Sequence, residues 1–118
     1  MDLLCNRKDG VAFIALVGQF WQREDLQAFE CAVKESISGG CLIAVIDVDH
    51  LSFINSMGLG MLARSFLRFR DSGGKMILYR PRSCVLEVIE ISGFKTFMPI
   101  ASDEKELEGL IQGSDRIL

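Results

Sequence analysis

Apolar residues in this chain fall into short continuous runs, separated by segments where they recur every three or four positions. The first two runs, DLLCN and VAFIALV, flank RKDG. Asp9-Gly10 is a tight-turn dipeptide, so these runs predict two antiparallel neighbouring strands. Leu26, Phe29, Val33 and Ile37 recur at helical spacing and predict a first helix from about Trp21 to Ser38, stopped by SGG. CLIAVID is a continuous apolar run of strand length, the pattern of a strand covered on both faces. A second helix runs from about Ser56 to Asp71 and closes at a second SGG. KMILY is the next strand. Pro81 opens a third helix carried by Val85, Leu86, Val88 and Ile89 and ended by Ser92-Gly93. TFMPI reads as a short edge strand, where Pro99 is tolerated. Ser102 is the expected cap of a last helix with Leu107, Leu110 and Ile111 as its stripe.

The order is β-β-α-β-α-β-α-β-α. Strands alternating with helices imply an α/β domain: a mostly parallel sheet of about five strands, an N-terminal antiparallel hairpin and about four helices. At 118 residues the whole chain, 1–118, reads as one domain. No repeat or linker interrupts it.

Composition removes several functions. The chain carries 13 basic and 16 acidic residues, a net charge of −3, with no Lys/Arg run, which argues against nucleic-acid binding. The longest apolar runs are too short to span a bilayer, and MDLLCNRKDG lacks the layout of a signal peptide. The expected location is the cytoplasm. Cys5, Cys31, Cys41 and Cys84 form no C-x-x-C pair and have one His for company, so no metal is expected. Each Cys has apolar sequence neighbours and reads as a reduced core thiol.

The second helix holds the unusual residues. On a helical wheel Leu59, Leu62, Ala63, Phe66 and Phe69 fall on one side, which reads as the core stripe. Met57, Met61, Arg64 and Arg68 fall roughly opposite, with Gly60 beside them. Met adapts to a partner's contours and Arg is enriched at interfaces, so this reads as an interaction face. Gly58 and Gly60 each cost about 1 kcal/mol in a helix against Ala. Bare amides there would let another surface, or a phosphate, come close. Ser56 stands at or next to the N-cap, near the positive end of the helix dipole.

GLGMLA matches G-x-G-x-x-A, and Arg80 follows the next strand as in an NADP site. That fingerprint needs its strand to end at the first Gly, and DVDHLSFIN intervenes. Ser56 is not in G-x-S-x-G, and His50 is the lone candidate base. Asp47 and Asp49 read as turn residues and His50 as a loop residue. No catalytic residue, cofactor or enzymatic activity is expected.

IDVDHLSFINSMGLGML, SGGKMILYRP and VIEISGFKTF, spanning Asp47 to Ile100, resemble the STAS domain, specifically the bacterial anti-sigma factor antagonists. Their pattern is a strand, a loop like D-L-S-x-V-x-F-[IM]-D-[ST]-[ST]-G-L, a helix, GG, a strand, P and a further helix. The resemblance implies binding to an anti-sigma factor that is also a serine kinase. It implies phosphorylation of the residue after the motif's Asp, here Ser56, with loss of binding, and restoration by a metal-dependent serine phosphatase. With the outer face of the wheel, the expected partner-binding residues are Asn55, Met57, Gly58, Gly60, Met61, Arg64 and Arg68. The motif's Asp is Asn55 here, its second Ser/Thr is Met57, and a frequent G-x-L-D after the second strand is GQFW, which offers Trp21 as an interface residue. Asn caps a helix about as well as Asp. The alternatives are a STAS scaffold without a switch, a transporter-associated subunit, or a binder of a small ligand or nucleotide at the Gly58/Gly60 amides.

Overall fold

The computed structural model describes residues 1–113. In chain order the elements are β1 (Asp2–Lys8), β2 (Val11–Phe20), α1 (Arg23–Ser38), β3 (Ile43–Asp47), β4 (Leu51–Ile54), α2 (Ser56–Asp71), β5 (Lys75–Tyr79), α3 (Ser83–Ser92), a 3-10 turn (Phe94–Thr96), β6 (Ile100–Ala101) and α4 (Glu104–Gly113). The sheet runs β1-β2-β3-β5-β6, and β4 pairs with β2 off this path. Only β1–β2 is antiparallel.

Lys8 lies opposite Val11, so Asp9 and Gly10 form a two-residue turn, with φ of +55° and +78°. Positive φ at both positions is what the right-handed twist of a hairpin requires, and Asp-Gly accepts it cheaply. Strand β2 is long enough to serve two partners on the edge opposite β1. Val11–Ala15 pair with β3, and Gly18–Phe20 pair with β4 after an irregularity at Gly18/Gln19.

Alternation sorts the strand residues onto two faces. Ile14, Leu16, Ala44, Ile46, Met76 and Leu78 pack under Phe29 and Val33 of α1, Leu62 and Phe69 of α2, and Val85 and Ile89 of α3. Val45, Ile77 and Ala101 face the other way, under Leu107, Leu110 and Ile111 of α4. The Lys75 ammonium donates to the carbonyls of Leu110 and Ile111 in the last turn of α4, where the helix dipole favours a cation.

Several expectations need correction. Among the described residues the sheet has six strands, because LSFI forms β4 where the sequence predicts a loop. Most of TFMPI is not strand. Phe97 stacks tilted on Phe66 of α2 and Phe94 of the 3-10 turn at 5.5 and 5.3 Å, which holds this segment against α2. Only Ile100–Ala101 reaches the sheet edge. Helix α3 starts at Ser83, two residues after Pro81. The α4 cap is Asp103, whose Oδ1 accepts from the Glu106 N–H at 2.8 Å, while Ser102 donates its own N–H to Glu106. Of the cysteines only Cys41 is buried; Cys5, Cys31 and Cys84 are exposed. Apolar neighbours in sequence are not apolar neighbours in space.

Candidate partner-binding site at the start of helix α2

Asn55 is the N-cap of α2, in extended conformation, and its Oδ1 accepts from the Gly58 N–H at 2.9 Å. Its Nδ2 donates to the Trp21 carbonyl at 3.3 Å. One amide thus caps the helix and ties it to the end of β2. An aspartate makes only the first of these bonds. Ser56 is the first helical residue and exposed, and its hydroxyl has no hydrogen-bond partner among the described residues. The cap therefore does not depend on Ser56.

Trp21, Phe53 and Met57 lie on the segments that meet at this cap and are 43%, 46% and 56% exposed. Trp21 follows β2 directly, and Phe53 lies on β4 opposite Gln19. The sequence pattern does not single out Phe53, because it does not reveal β4. Buried Leu51 and Ile54 flank exposed Ser52 and Phe53, so the four residues do not alternate and carry no strand signal in sequence.

The wheel of α2 needs rotating by roughly 60°. Its buried residues are Gly58, Leu59, Met61, Leu62, Ser65 and Phe69. Met61 is 5% exposed and packs in the core, so it is not on the outer face. Gly58 also points inward. A Cβ there would stand 2.6 Å from the Phe20 carbonyl oxygen and 2.9 Å from Ile54 Cγ1. Its N–H is already taken by Asn55, so it is no bare amide. Gly60 does lie outward, with Arg64 Nη1 as the nearest group, 3.8 Å from where a Cβ would be. Arg64 is exposed beside it. Arg68 lies three turns from Ser56, roughly 18 Å along the axis, and pairs with Glu30 of α1 at 3.3 Å. The outer residues that the structure brings together are Asn55, Ser56, Met57, Gly60 and Arg64, with Trp21 and Phe53 alongside.

Buried Asp25 sets the path of the Trp21 segment. Its Oδ2 accepts from the N–H groups of Gln22 at 3.0 Å and Trp21 at 3.3 Å, and its Oδ1 lies 3.4 Å from the Met1 α-ammonium. Burial pushes the carboxyl up, but those two N–H groups and the ammonium more than offset it, so the pKa lies below the ordinary value.

The acidic turn after β3 is used structurally. Asp47 Oδ1 accepts from the Asp49 N–H at 3.1 Å, and Asp47 Oδ2 lies 3.2 Å from Arg80 Nη2. His50 lies 3.5 Å from Asp49 and bonds no serine. The site offers an exposed hydroxyl at a helix N-terminus, with exposed Met57 next to it in sequence and exposed Trp21 and Phe53 on the strand ends that lead to it.

The curated relative BtrV of Bordetella bronchiseptica, assigned as an anti-sigma factor antagonist, is 27% identical over 105 residues, covering 89% of this chain and 90% of that protein. The solved anti-sigma factor antagonist SpoIIAA in its unphosphorylated form superposes with a TM-score of 0.79 at 21% identity, over 95% of this chain and 97% of that one. The phosphorylated form of SpoIIAA, from Bacillus, gives 0.72 at 18% identity, over 92% and 99%. The same fold recurs in the murine anion transporter Slc26a9, with a TM-score of 0.74 at 15% identity, over 92% of this chain and 18% of that one. The family model of the STAS domain matches residues 7–107, and by that match, with the β2–β4–α2 architecture just described, this chain belongs to the STAS domain family.

Proposed function

We propose that this chain is an anti-sigma factor antagonist, a binding protein rather than an enzyme, that works in the cytoplasm. Its partner is an anti-sigma factor with serine-kinase activity. It docks on Asn55, Met57, Gly60, Arg64, Trp21 and Phe53. Phosphorylation of Ser56 releases the partner, and a metal-dependent serine phosphatase restores binding. The observation that carries this reading is the Ser56 hydroxyl, exposed and unpartnered at the first position of α2, with the cap supplied by its neighbour Asn55. The hydroxyl is free for transfer of a phosphoryl group, and the helix keeps its cap afterwards.

A phosphoserine carries about −1.5 to −2 charge at pH 7. At a helix N-terminus that charge is tolerated, so the fold persists. The contact surface does not stay the same. A dianion stands among Trp21, Phe53 and Met57, which a partner must desolvate on docking. An unpaired charge buried there costs roughly several kcal/mol.

The test incubates the chain with ATP and a candidate serine-kinase anti-sigma factor from the same organism, maps the phosphate, and titrates the unmodified variants calorimetrically. Label on Ser56 alone is expected. Ser56→Ala should bind like the wild type and resist inactivation. Ser56→Asp should bind at least tenfold more weakly, about 1.4 kcal/mol. Label on Ser52 or Ser65, or equal affinity for wild type and Ser56→Asp, removes the switch. A STAS scaffold, as in the transporter fold, then becomes the better reading.

A further inference from the structure

Strand β1 ends the sheet. Among the described residues no strand pairs with its outer edge, and six of its seven residues are exposed. Its register with β2 is continuous, without a bulge, and it contains no proline. Strand edges of this kind are templates for another strand. We propose that the outer edge of β1 pairs antiparallel with β1 of a second copy of this chain, in the register that places Cys5 opposite Cys5 across a two-fold axis.

The hairpin decides which backbone groups are available. A two-residue turn makes Lys8–Val11 the closing hydrogen-bonded pair. Alternation then directs Lys8, Asn6, Leu4 and Asp2 to β2, and turns the N–H and C=O groups of Arg7, Cys5 and Leu3 to the free edge. These three residues are symmetric about Cys5. In the proposed register Leu3 meets Arg7, Cys5 meets Cys5 and Arg7 meets Leu3, so every outward group finds a partner. A shift by two residues leaves some of them empty.

Charge selects the same register. Asp2 stands at one end of the strand and Lys8 at the other, and neither has an ion-pair partner within its own chain among the described residues. Across the axis each Asp2 faces the Lys8 of the other copy, twice per dimer. Opposite charges directly across a strand pair stabilise it, and like charges oppose it. An unrelated strand meets the basic end Arg7-Lys8 without this compensation, so the edge is guarded against other partners and open to itself. On the α4 side, Leu4 and Phe13 are 65% and 41% exposed, and the axis brings the two Leu4 residues into diagonal neighbourhood. The contact is independent of Ser56.

Sedimentation velocity on the full chain tests this. A reversible monomer–dimer equilibrium is expected below about 1 mM, since an edge-strand contact is at the small end of specific interfaces. Cys5→Pro removes an N–H that faces solvent in the monomer, which edge strands tolerate, and should abolish the dimer with the fold intact by circular dichroism. Lys8→Asp should weaken the dimer roughly tenfold, and adding Asp2→Lys should restore it to within about twofold. A monomer across the whole range, a dimer that survives in folded Cys5→Pro, or a double charge swap no better than Lys8→Asp overturns the proposal. The charge swap decides the matter if Cys5→Pro fails to fold.

Discussion

Gly58 and Gly60 stand two residues apart in α2, on opposite sides of it. At Gly58 the helix meets the end of β2 so closely that a methyl group would overlap the Phe20 backbone. At Gly60 there is open space and only the side chain of Arg64 nearby. The same residue type thus serves packing in one place and leaves the outer surface low in the other. Composition alone does not separate these roles. What separates them is the phase of the helix against the sheet, and that phase is set by Gly58 and Ser65 lying inward together with Leu59, Met61 and Leu62.

The comparison is sharpest at Gly58→Ala. The obstructing atom is backbone and cannot swing aside, so overpacking should outweigh the helix propensity of Ala and cost about 2 kcal/mol, read by denaturant titration. A variant as stable as the wild type would mean that α2 sits farther from β2 than described. Asn55→Ala comes next. It removes both the cap and the tie to Trp21 and should cost about 1–2 kcal/mol. Asp25→Asn should cost about 1 kcal/mol at neutral pH, because an amide keeps part of the hydrogen bonding but not the charge. The pH dependence has a definite sign. The folded-state pKa is lowered, so the carboxylate's contribution is complete above the unfolded-state value near 3.8 and is lost as pH falls through the folded value. The gap between wild type and Asp25→Asn should therefore close in acid. The smallest effect is expected at Gly60→Ala, which should stabilise by about 0.5–1 kcal/mol with no steric cost. If partner binding drops in that variant while stability rises, the outer surface of α2 is in the interface.

Much of this molecule was legible in its residues, for reasons that also explain the gaps. The Asp9-Gly10 hairpin, the buried strands and the bounds of α2 rest on strong local signals: a turn dipeptide, continuous apolar runs and paired glycines. Strand β4 has four residues after an acidic turn, and its pairing with β2 is a long-range fact. The face of α2 was misjudged because a hydrophobic wheel gives Gly58 and Ser65 no inward weight, and their smallness is what admits them to the close contact. Asn55 was recognisable as a cap. Its second bond, to the Trp21 carbonyl, depends on where β2 ends and is invisible locally. Asp25 is similar: a buried carboxylate is unexpected until the N–H groups of Trp21 and Gln22 converge on it.

The division of one edge of β2 between β3 and β4 has a consequence for motion. Its first half belongs to the central sheet through β3, and its last three paired residues hold only the short β4. The platform of Ser56 therefore hangs on a side branch. Loss of the β2–β4 pairing frees Phe53, the Asn55 cap and the first turn of α2 together while the central strands stay paired. Local openings of this kind lie at low free energy compared with global unfolding. In hydrogen exchange the amides of residues 51–58 should then exchange as one group, well ahead of Ala44–Ile46 and Met76–Leu78. On the function proposed above, a kinase that needs its serine in an extended segment would find it in that opened form, without unfolding the domain that carries it.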